Sequence, residues 1–446
     1  MGRRAHASRA LRVAALRYRF RESLFRLPSL VIAGGVALAL VAAEIDRSVG
    51  DDGSVPLTLD MSSNAATWLL ATAAGAMITT VGVVLSLTVV SLQLASSQFS
   101  PLVMRSFIRD RSSQLVIGLL VATFFYCVLT LPNVSGSPED PAPRVSLTVA
   151  VVLTLVTVVA IIAHLDRLAR RLQVGHVVRA IVEEDEAVVA RLRHAGAGAR
   201  PLRSTPPAEL APPAVAAVVA GRTSGWVSQV DHDRLLASVP PRTTVRLETR
   251  IGAYLHAGEP LLTCWPPVPE ELEPRLLGAV EVSDTRTMQQ DVDFAIRQLV
   301  DIGLRALGTA INDPTTAVEV TLRLGSLLRH LLTTPVPPPA LEGADGRVLV
   351  RPWDLDHDEY VEHAFDQLRR AAPAEPQVAA ALLRVLRMLV VHVEAAGFPE
   401  RVPALRRQLQ LLLDELEDAP LHPADLAWLR AVSSDATDPA DHSRHG

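Results

Sequence analysis

AATWLLATAAGAMITTVGVVLSLTVVSLQL, residues 65–94, carries no ionisable side chain over thirty positions. About 20 apolar residues let a helix cross the hydrocarbon core of a bilayer, so this stretch reads as a membrane span with length to spare. A second uncharged run, Gln114–Leu131, returns after a polar hinge and a patch bearing Arg105, Arg109 and Arg111. Working outward, Leu27–Ala43 precedes this hairpin and Val145–Ala163 follows it, both without charge. Four spans are therefore expected, and the lipid bilayer is the first partner of the chain.

Charge between the runs sets an orientation. Residues 1–26 hold eight arginines against Glu22, and Arg167, Arg170 and Arg171 follow the fourth run. Residues 44–64 and 132–144 are acidic by contrast. Basic loops stay on the cytoplasmic side, which puts both termini in the cytoplasm of a bacterial inner membrane. A signal peptide is the competing reading of residues 1–43, since Val41-Ala42-Ala43 resembles a cleavage site. The length of the basic region and the three later spans favour a retained helix.

Composition narrows the chemistry. The 446 residues are 49% hydrophobic with a mean hydropathy of +0.25, and the apolar excess lies in the first 165. All 43 basic residues are arginine. Without lysine there is no phosphate-loop lysine, no Schiff base and no lipoylated or biotinylated side chain. A net charge of −5 gives no reason to expect nucleic acid. Cys127 lies in a span and Cys264 in the soluble half, so neither a disulfide nor a metal site is expected, and no cofactor is.

None of the four runs contains Asp, Glu, Arg or His, which weighs against an active carrier that must bind its cargo within the membrane. The second run has a small and polar stripe, Ala71, Gly75, Thr79, Gly82, Ser86, Gln93 and Ser97, held on one helical face by steps of 3, 4 and 7. Close helix packing explains it, as does a pore lining in an oligomer. Pro101 should end or kink the helix near Ser100. Residues 102–111 then alternate apolar side chains with arginine and fit either the inner leaflet or an ordinary loop.

In the soluble half, residues 164–193 read as a juxtamembrane helix continuing the fourth span, with Leu165, Leu168, Leu172, Val178, Ile181, Val188 and Leu192 on one side. Glu183-Glu184-Asp185-Glu186 reads as a solvated face. Residues 194–214 form a linker rich in Gly, Pro and Ala. Residues 215–267 turn to strands, among them GWVSQV (225–230) and TVRLET (244–249), and IGAYLHAGEPLL (251–262) resembles the hairpin of biotinyl/lipoyl-like half-barrels.

Residues 284–431 read as a helical domain and 432–446 as a disordered tail. Thr285–Thr309 is expected to be a buried helix crossed by a ladder, Arg297, Asp301 and Arg305, so Asp301→Ala should destabilise the fold or oligomer. Asp313 and Pro314 start the next helix. Asp291, Asp301, Asn312 and Asp313 could instead form a ligand or ion site. Asp354, Asp356, Asp358, Glu359, Glu362 and His363 crowd a later helix start, as the helix dipole favours. Their spacing fits neither a calcium loop nor a zinc site.

Two motifs, SSQFSPLVMRSFIRD (96–110) and RTMQQDVDFAIRQLVDIGLRALGTAINDPTTA (286–317), together resemble an uncharacterised bacterial family of predicted membrane proteins, domain of unknown function 2254. The likeness runs from the first span to about Val393. It implies four N-terminal spans and a cytoplasmic C-terminal region, and it brings no catalytic residues. The positions carrying the resemblance are Gln98, Pro101, Asp291, Arg297, Asp301, Arg305, Asn312, Asp313 and Thr316; Gly303 and Gly308 stand where Ala or Ser is expected.

The expected fold class is mainly α: a four-helix transmembrane domain over 27–163, then a cytoplasmic region with a small β half-barrel-like module and an α-helical domain. The expected function is that of a non-enzymatic, homo-oligomeric membrane sensor, binding or scaffold protein whose cytoplasmic ligand the residues do not name. A passive channel lined by Gly75, Thr79, Gly82, Ser86 and Gln93 is the first alternative, and an inner-leaflet enzyme the second.

Overall fold

The computed structural model describes residues 26–49, 58–59, 61–98, 111–134, 142–171, 174–192, 200–201 and 211–434. Pro101, the alternating segment 102–110, the basic residues 1–25 and residues 435–446 of the tail lie outside the described residues, as does the side chain of Gln98. The chain divides into two compact units, Met1–Gln173 and Val174–Gly446.

Among the described residues the first unit has four α-helices, α1 (Arg26–Val49), α2 (Ser63–Gln98), α3 (Arg111–Thr130) and α4 (Arg144–Arg171). Each contains a segment long and apolar enough to cross a membrane. Helix α3 is central and packs against the other three. Small residues set its approach to α1. A Cβ on Gly35 would stand 2.8 Å from the Ala122 Cβ, and one on Gly118 would stand 2.9 Å from the Pro28 Cα. In lipid, where apolar surface gains nothing by leaving its surroundings, such close backbone contact and interhelical hydrogen bonds hold helices together. Two buried bonds serve that role: Thr123 Oγ1 to Thr157 Oγ1 at 2.8 Å, and the Tyr126 hydroxyl donating to the Ser146 carbonyl at 3.0 Å.

The first helix runs past Ala43, where the sequence suggests an end, through acidic residues to Val49. The reason is tertiary. The Asp46 carboxylate accepts from the Val145 and Ser146 backbone N–H groups at 2.8 and 2.9 Å, capping α4 from another helix. Hydrogen bonds to a charged group are worth about 1.5–3 kcal/mol each. Asp46→Ala should therefore destabilise the detergent-solubilised protein by about 2 kcal/mol, read from thermal unfolding, with Asp46→Asn in between.

Helix α2 turns Ala66, Leu70, Ala74, Met77 and Val84 inward. Gly75, Thr79, Gly82, Ser86 and Gln93 are exposed on the other side, and a Cβ on Gly75 or Gly82 would meet nothing within 4 Å. Within this unit, then, close packing through small residues belongs to α1 and α3.

The second unit opens with α5 (Val174–Leu192), and residues 172–173 between it and α4 lie outside the described residues. Its strands are β1 (Arg200–Pro201), β2 (Ala217–Ala220), β3 (Gly225–Val230), β4 (Thr244–Leu247), β5 (Tyr254–Leu255), β6 (Pro260–Trp265), β7 (Val280–Ser283), β8 (Ala340–Glu342) and β9 (Val348–Val350). Six form a sheet in the order β1-β8-β9-β4-β6-β2, and three form another, β5-β3-β7. All pairs are antiparallel except β4 with β9.

The β module is thus not confined to 215–267. Arg200 and Pro201 of the expected linker pair with β8, and β8 and β9 come from inside the expected helical domain. Residues 340–350 alternate too briefly to stand out in the sequence, and the sheet is completed only when their backbone bonds find β4.

Two short helices, α6 (His232–Ser238) and α7 (Glu273–Leu277), border the sheets. Six longer ones build the helical part: α8 (Val292–Ala306), α9 (Pro314–Leu331), α10 (His357–Ala371), α11 (Pro376–Ala395), α12 (Val402–Asp418) and α13 (Pro423–Ser434). Helix α8 is buried almost throughout, with Ile296, Leu299 and Val300 at 1% exposure or less; each such side chain stabilises the fold by about 1.5–3 kcal/mol. It packs on α9, α10 and α5.

Candidate functional site

Helix α8 starts at Val292, seven residues later than its apolar pattern suggests. Asp291 decides this: its Oδ1 accepts from the Phe294 N–H at 3.2 Å, a side-chain cap on the first turn. The residues before it form a loop that brings Arg286 back onto the same carboxylate. Arg286 Nε donates to Asp291 Oδ2 at 2.6 Å and Nη2 to Oδ1 at 3.1 Å, a two-pronged fork. The Nη2 atom also donates to Asp293 Oδ2 at 2.8 Å.

Asp293 is the hub. His363 of α10 meets its Oδ1 at 2.6 Å, Arg297 stands one turn on at 3.6 Å, and Arg250 approaches to 4.0 Å. The Asp293 side chain is 2% exposed and that of Asp291 3%. Burial alone would raise the Asp293 carboxyl, but hydrogen bonds from His363 and Arg286 and their charges outweigh it and hold the group well below the usual carboxylate range. The Arg286 guanidinium also lies 5.3 Å from the Phe294 ring and 5.8 Å from that of Trp226.

Gly252 seals the network from the sheet side. Its φ is +81°, and a Cβ there would fall 2.2 Å from Asp291 Oδ2. One further acid lies near. Asp185 of α5 is 0% exposed, and neither carboxylate oxygen has a hydrogen-bond partner among the described residues. Its neighbours Glu183, Glu184 and Glu186 are exposed, so the expected solvated face holds for three of the four.

A model of the family described as predicted membrane protein (DUF2254) matches residues 21–388. The chain belongs to that family. Uncharacterized proteins of Mycobacterium tuberculosis and Mycobacterium bovis are 32% identical to it over 371 residues, covering 81% of this chain and 70% of theirs. No solved structure matches.

Of the signature positions within the described part of this DUF2254 member, the network takes in Asp291 and Arg297. Asn312 and Asp313 lie beyond the other end of α8, about 22 Å along its axis from Asp291. Asp301, ten residues on from Asp291, is not brought to either group, so the four do not share one site. Asn312 adopts a φ of +47° in the turn. Asp313 caps α9, accepting from the Thr316 N–H at 3.1 Å and its hydroxyl at 2.5 Å.

The ladder does not close at Asp301, which makes no ion pair among the described residues and whose buried Oδ2 has no hydrogen-bond partner there; Arg297 turns to Asp293 instead. Asp313→Ala should therefore cost about 1 kcal/mol of unfolding free energy. Asp301→Ala should stay within about 0.5 kcal/mol, measured side by side by thermal denaturation.

Missed in the sequence were Arg286, Asp293, Arg250, Gly252 and the role of His363. Arg286 and Asp293 lie inside the quoted motif, so a signal existed; Arg250 and His363 come from distant segments. Asp185 also left a trace, standing four residues after Ile181 and three before Val188 in the same stripe. The acids at the start of α10 resolve into a capping box of Asp356 with Glu359. Among the described residues no group of three or more His, Cys, Asp or Glu is placed to hold a metal ion.

A second ionic group lies at the end of β9 in the DUF2254 chain. Arg351, 2% exposed, pairs with Asp354 at 3.1 Å, donates to the Pro338 carbonyl at 2.7 Å and stands 3.4 Å from His232 Nε2. Burial, with Arg351 beside it, pushes the His232 imidazole down to about 3. A histidine kept neutral in the fold contributes stability that is present above pH 6.5 and lost as pH falls toward 3. Unfolding free energy should fall between pH 6.5 and 4 by up to about 1.4 kcal/mol per pH unit, read as a falling melting temperature; His232→Gln should flatten that limb.

Proposed function

We propose that the protein is a multi-pass protein of the bacterial inner membrane, with both termini in the cytoplasm, acting as a homo-oligomeric sensor. The second unit responds to a cytoplasmic condition and passes the response to the membrane helices. The observation that carries this reading is α5. It begins three residues after α4 ends, yet it packs on α8 and α9 beside the buried network of the second unit. Any change that loosens α5 there acts on a chain segment two residues from a membrane helix.

The arginine-rich segments on one side of the spans support the orientation. A reporter fused after Leu192 should sit in the cytoplasm, and mass measurement of the intact detergent-solubilised assembly should give more than one chain. A periplasmic reporter, or a single chain, overturns the corresponding half of the reading.

One observation favours a channel as a second reading: the polar and small side of α2 faces away from the other three helices. In a ring of copies it would line a passage. Conductance in planar bilayers, abolished by Gly82→Leu, is the expected result on that reading; no current at any voltage or tension retires it.

A further inference from the structure

We propose that α5 is a proton-operated clasp, in which Asp185 seats in the core of the second unit as the neutral acid and its ionisation releases the helix. The inference deepens the sensor reading by naming the condition sensed, and rests on that reading for its consequence in the membrane.

Geometry carries the argument. The buried stripe of α5 is Val178, Ile181, Val182, Val188 and Val189, and Asp185 fills the gap at its centre. A carboxylate taken out of water costs several kcal/mol unless it is paired and hydrogen-bonded. Asp185 has neither kind of partner among the described residues. The nearby arginines are committed elsewhere: Arg286 to Asp291 and Asp293, Arg297 and Arg250 to Asp293.

The groups that act on Asp185 all oppose its charge or leave it alone. From the cap of α8 comes Asp291, and from its own helix Glu184 and Glu186; Tyr360 of α10 lies near the same acids, its phenol raised first by burial and then by Asp291, Asp354, Asp293 and Asp185. The charged residues of α9, Glu319, Arg323, Arg329 and His330, are not among them. Burial first, then these carboxylates, raises Asp185 well above the ordinary carboxyl value. Docking of α5 is accordingly strongest below that ordinary value and weakens as pH rises toward the docked-state value. Acidification of the cytoplasm would tighten the clasp, and alkalinisation would free it.

Hydrogen–deuterium exchange of the full chain in nanodiscs tests this, between pH 5 and 9 with the intrinsic exchange rate divided out. Protection of residues 174–192 should fall as pH rises, by up to roughly tenfold per pH unit for one proton. Asp185→Asn and Asp185→Leu should both give protection that no longer varies with pH, with far-UV circular dichroism confirming the fold of each. Protection in the unaltered protein that is flat with pH, or that changes equally in Asp185→Asn, overturns the clasp while leaving the sensor reading standing. A pH response at 174–192 with none at the end of α4, residues 165–171, upholds the clasp and removes the sensor reading.

Discussion

Replacing Arg286 by alanine should lower the melting temperature of the second unit by roughly 10 °C. The guanidinium is the only group that touches both buried carboxylates at hydrogen-bond distance, at 2.6 Å to Asp291 and 2.8 Å to Asp293 among the described residues. Its removal leaves two acids at 3% exposure or less, Asp291 without its hydrogen-bonded counter-charge and Asp293 with only His363 at hydrogen-bond distance among the described residues. Breaking one side of a buried ion pair costs about 3–5 kcal/mol, because the remaining charge stays out of water unpaired. For a unit of this size each kcal/mol moves the midpoint by about 2–4 °C. Calorimetry of the purified full chain reads the shift. Arg286→Lys should recover only part of it, since an ammonium cannot reproduce the fork. Asp291→Asn added to Arg286→Ala should recover part as well, by removing one of the stranded charges. A shift under 3 °C would show that His363, Arg250 and Arg297 suffice without it.

The second large effect is expected at Gly252. Gly252→Ala places a methyl group 2.2 Å from Asp291 Oδ2 and 2.8 Å from Arg286 Nη2, in a backbone conformation with φ of +81°. The left-handed backbone alone costs about 1–2 kcal/mol for a residue with a Cβ. Displacing the fork adds the loss of a charge-assisted hydrogen bond, about 1.5–3 kcal/mol, for a total of about 3–4 kcal/mol. Gly258 supplies the control. Its φ is +92°, but a Cβ there meets nothing within 4 Å, so Gly258→Ala should show the backbone cost alone. Equal losses at the two positions would mean that Gly252 matters for its conformation and not for the network behind it.

These two positions also mark what the residues could and could not disclose. The quoted motif at 286–317 points to the right part of the molecule, and Asp313 followed by Pro314 reads correctly as a helix start. Yet the ladder within that motif suggests Asp301 as the partner of Arg297, and the structure gives Asp293. Both lie four residues from Arg297, and helical spacing alone cannot choose between them. Burial chooses: Asp293 faces Arg286 and His363, and Asp301 does not. In the same way the stripe on α2 shows in the sequence, but which small residues bring helices together is settled by Gly35 and Gly118 on α1 and α3.

What the residues determined alone is the division of the chain into four uncharged runs and a charged remainder. The reason is that hydrocarbon excludes charge window by window, and each window of about 20 residues answers independently. Tertiary structure decided the rest. The network gathers Gly252 and Arg250 from the turn between β4 and β5, Arg286 and Asp291 from a loop, Asp293 from α8 and His363 from α10, with Asp185 of α5 close by. The strength of each pairing there depends on how much water the other segments exclude. No single stretch of chain contains that information, because burial is a property of segments that meet only after folding.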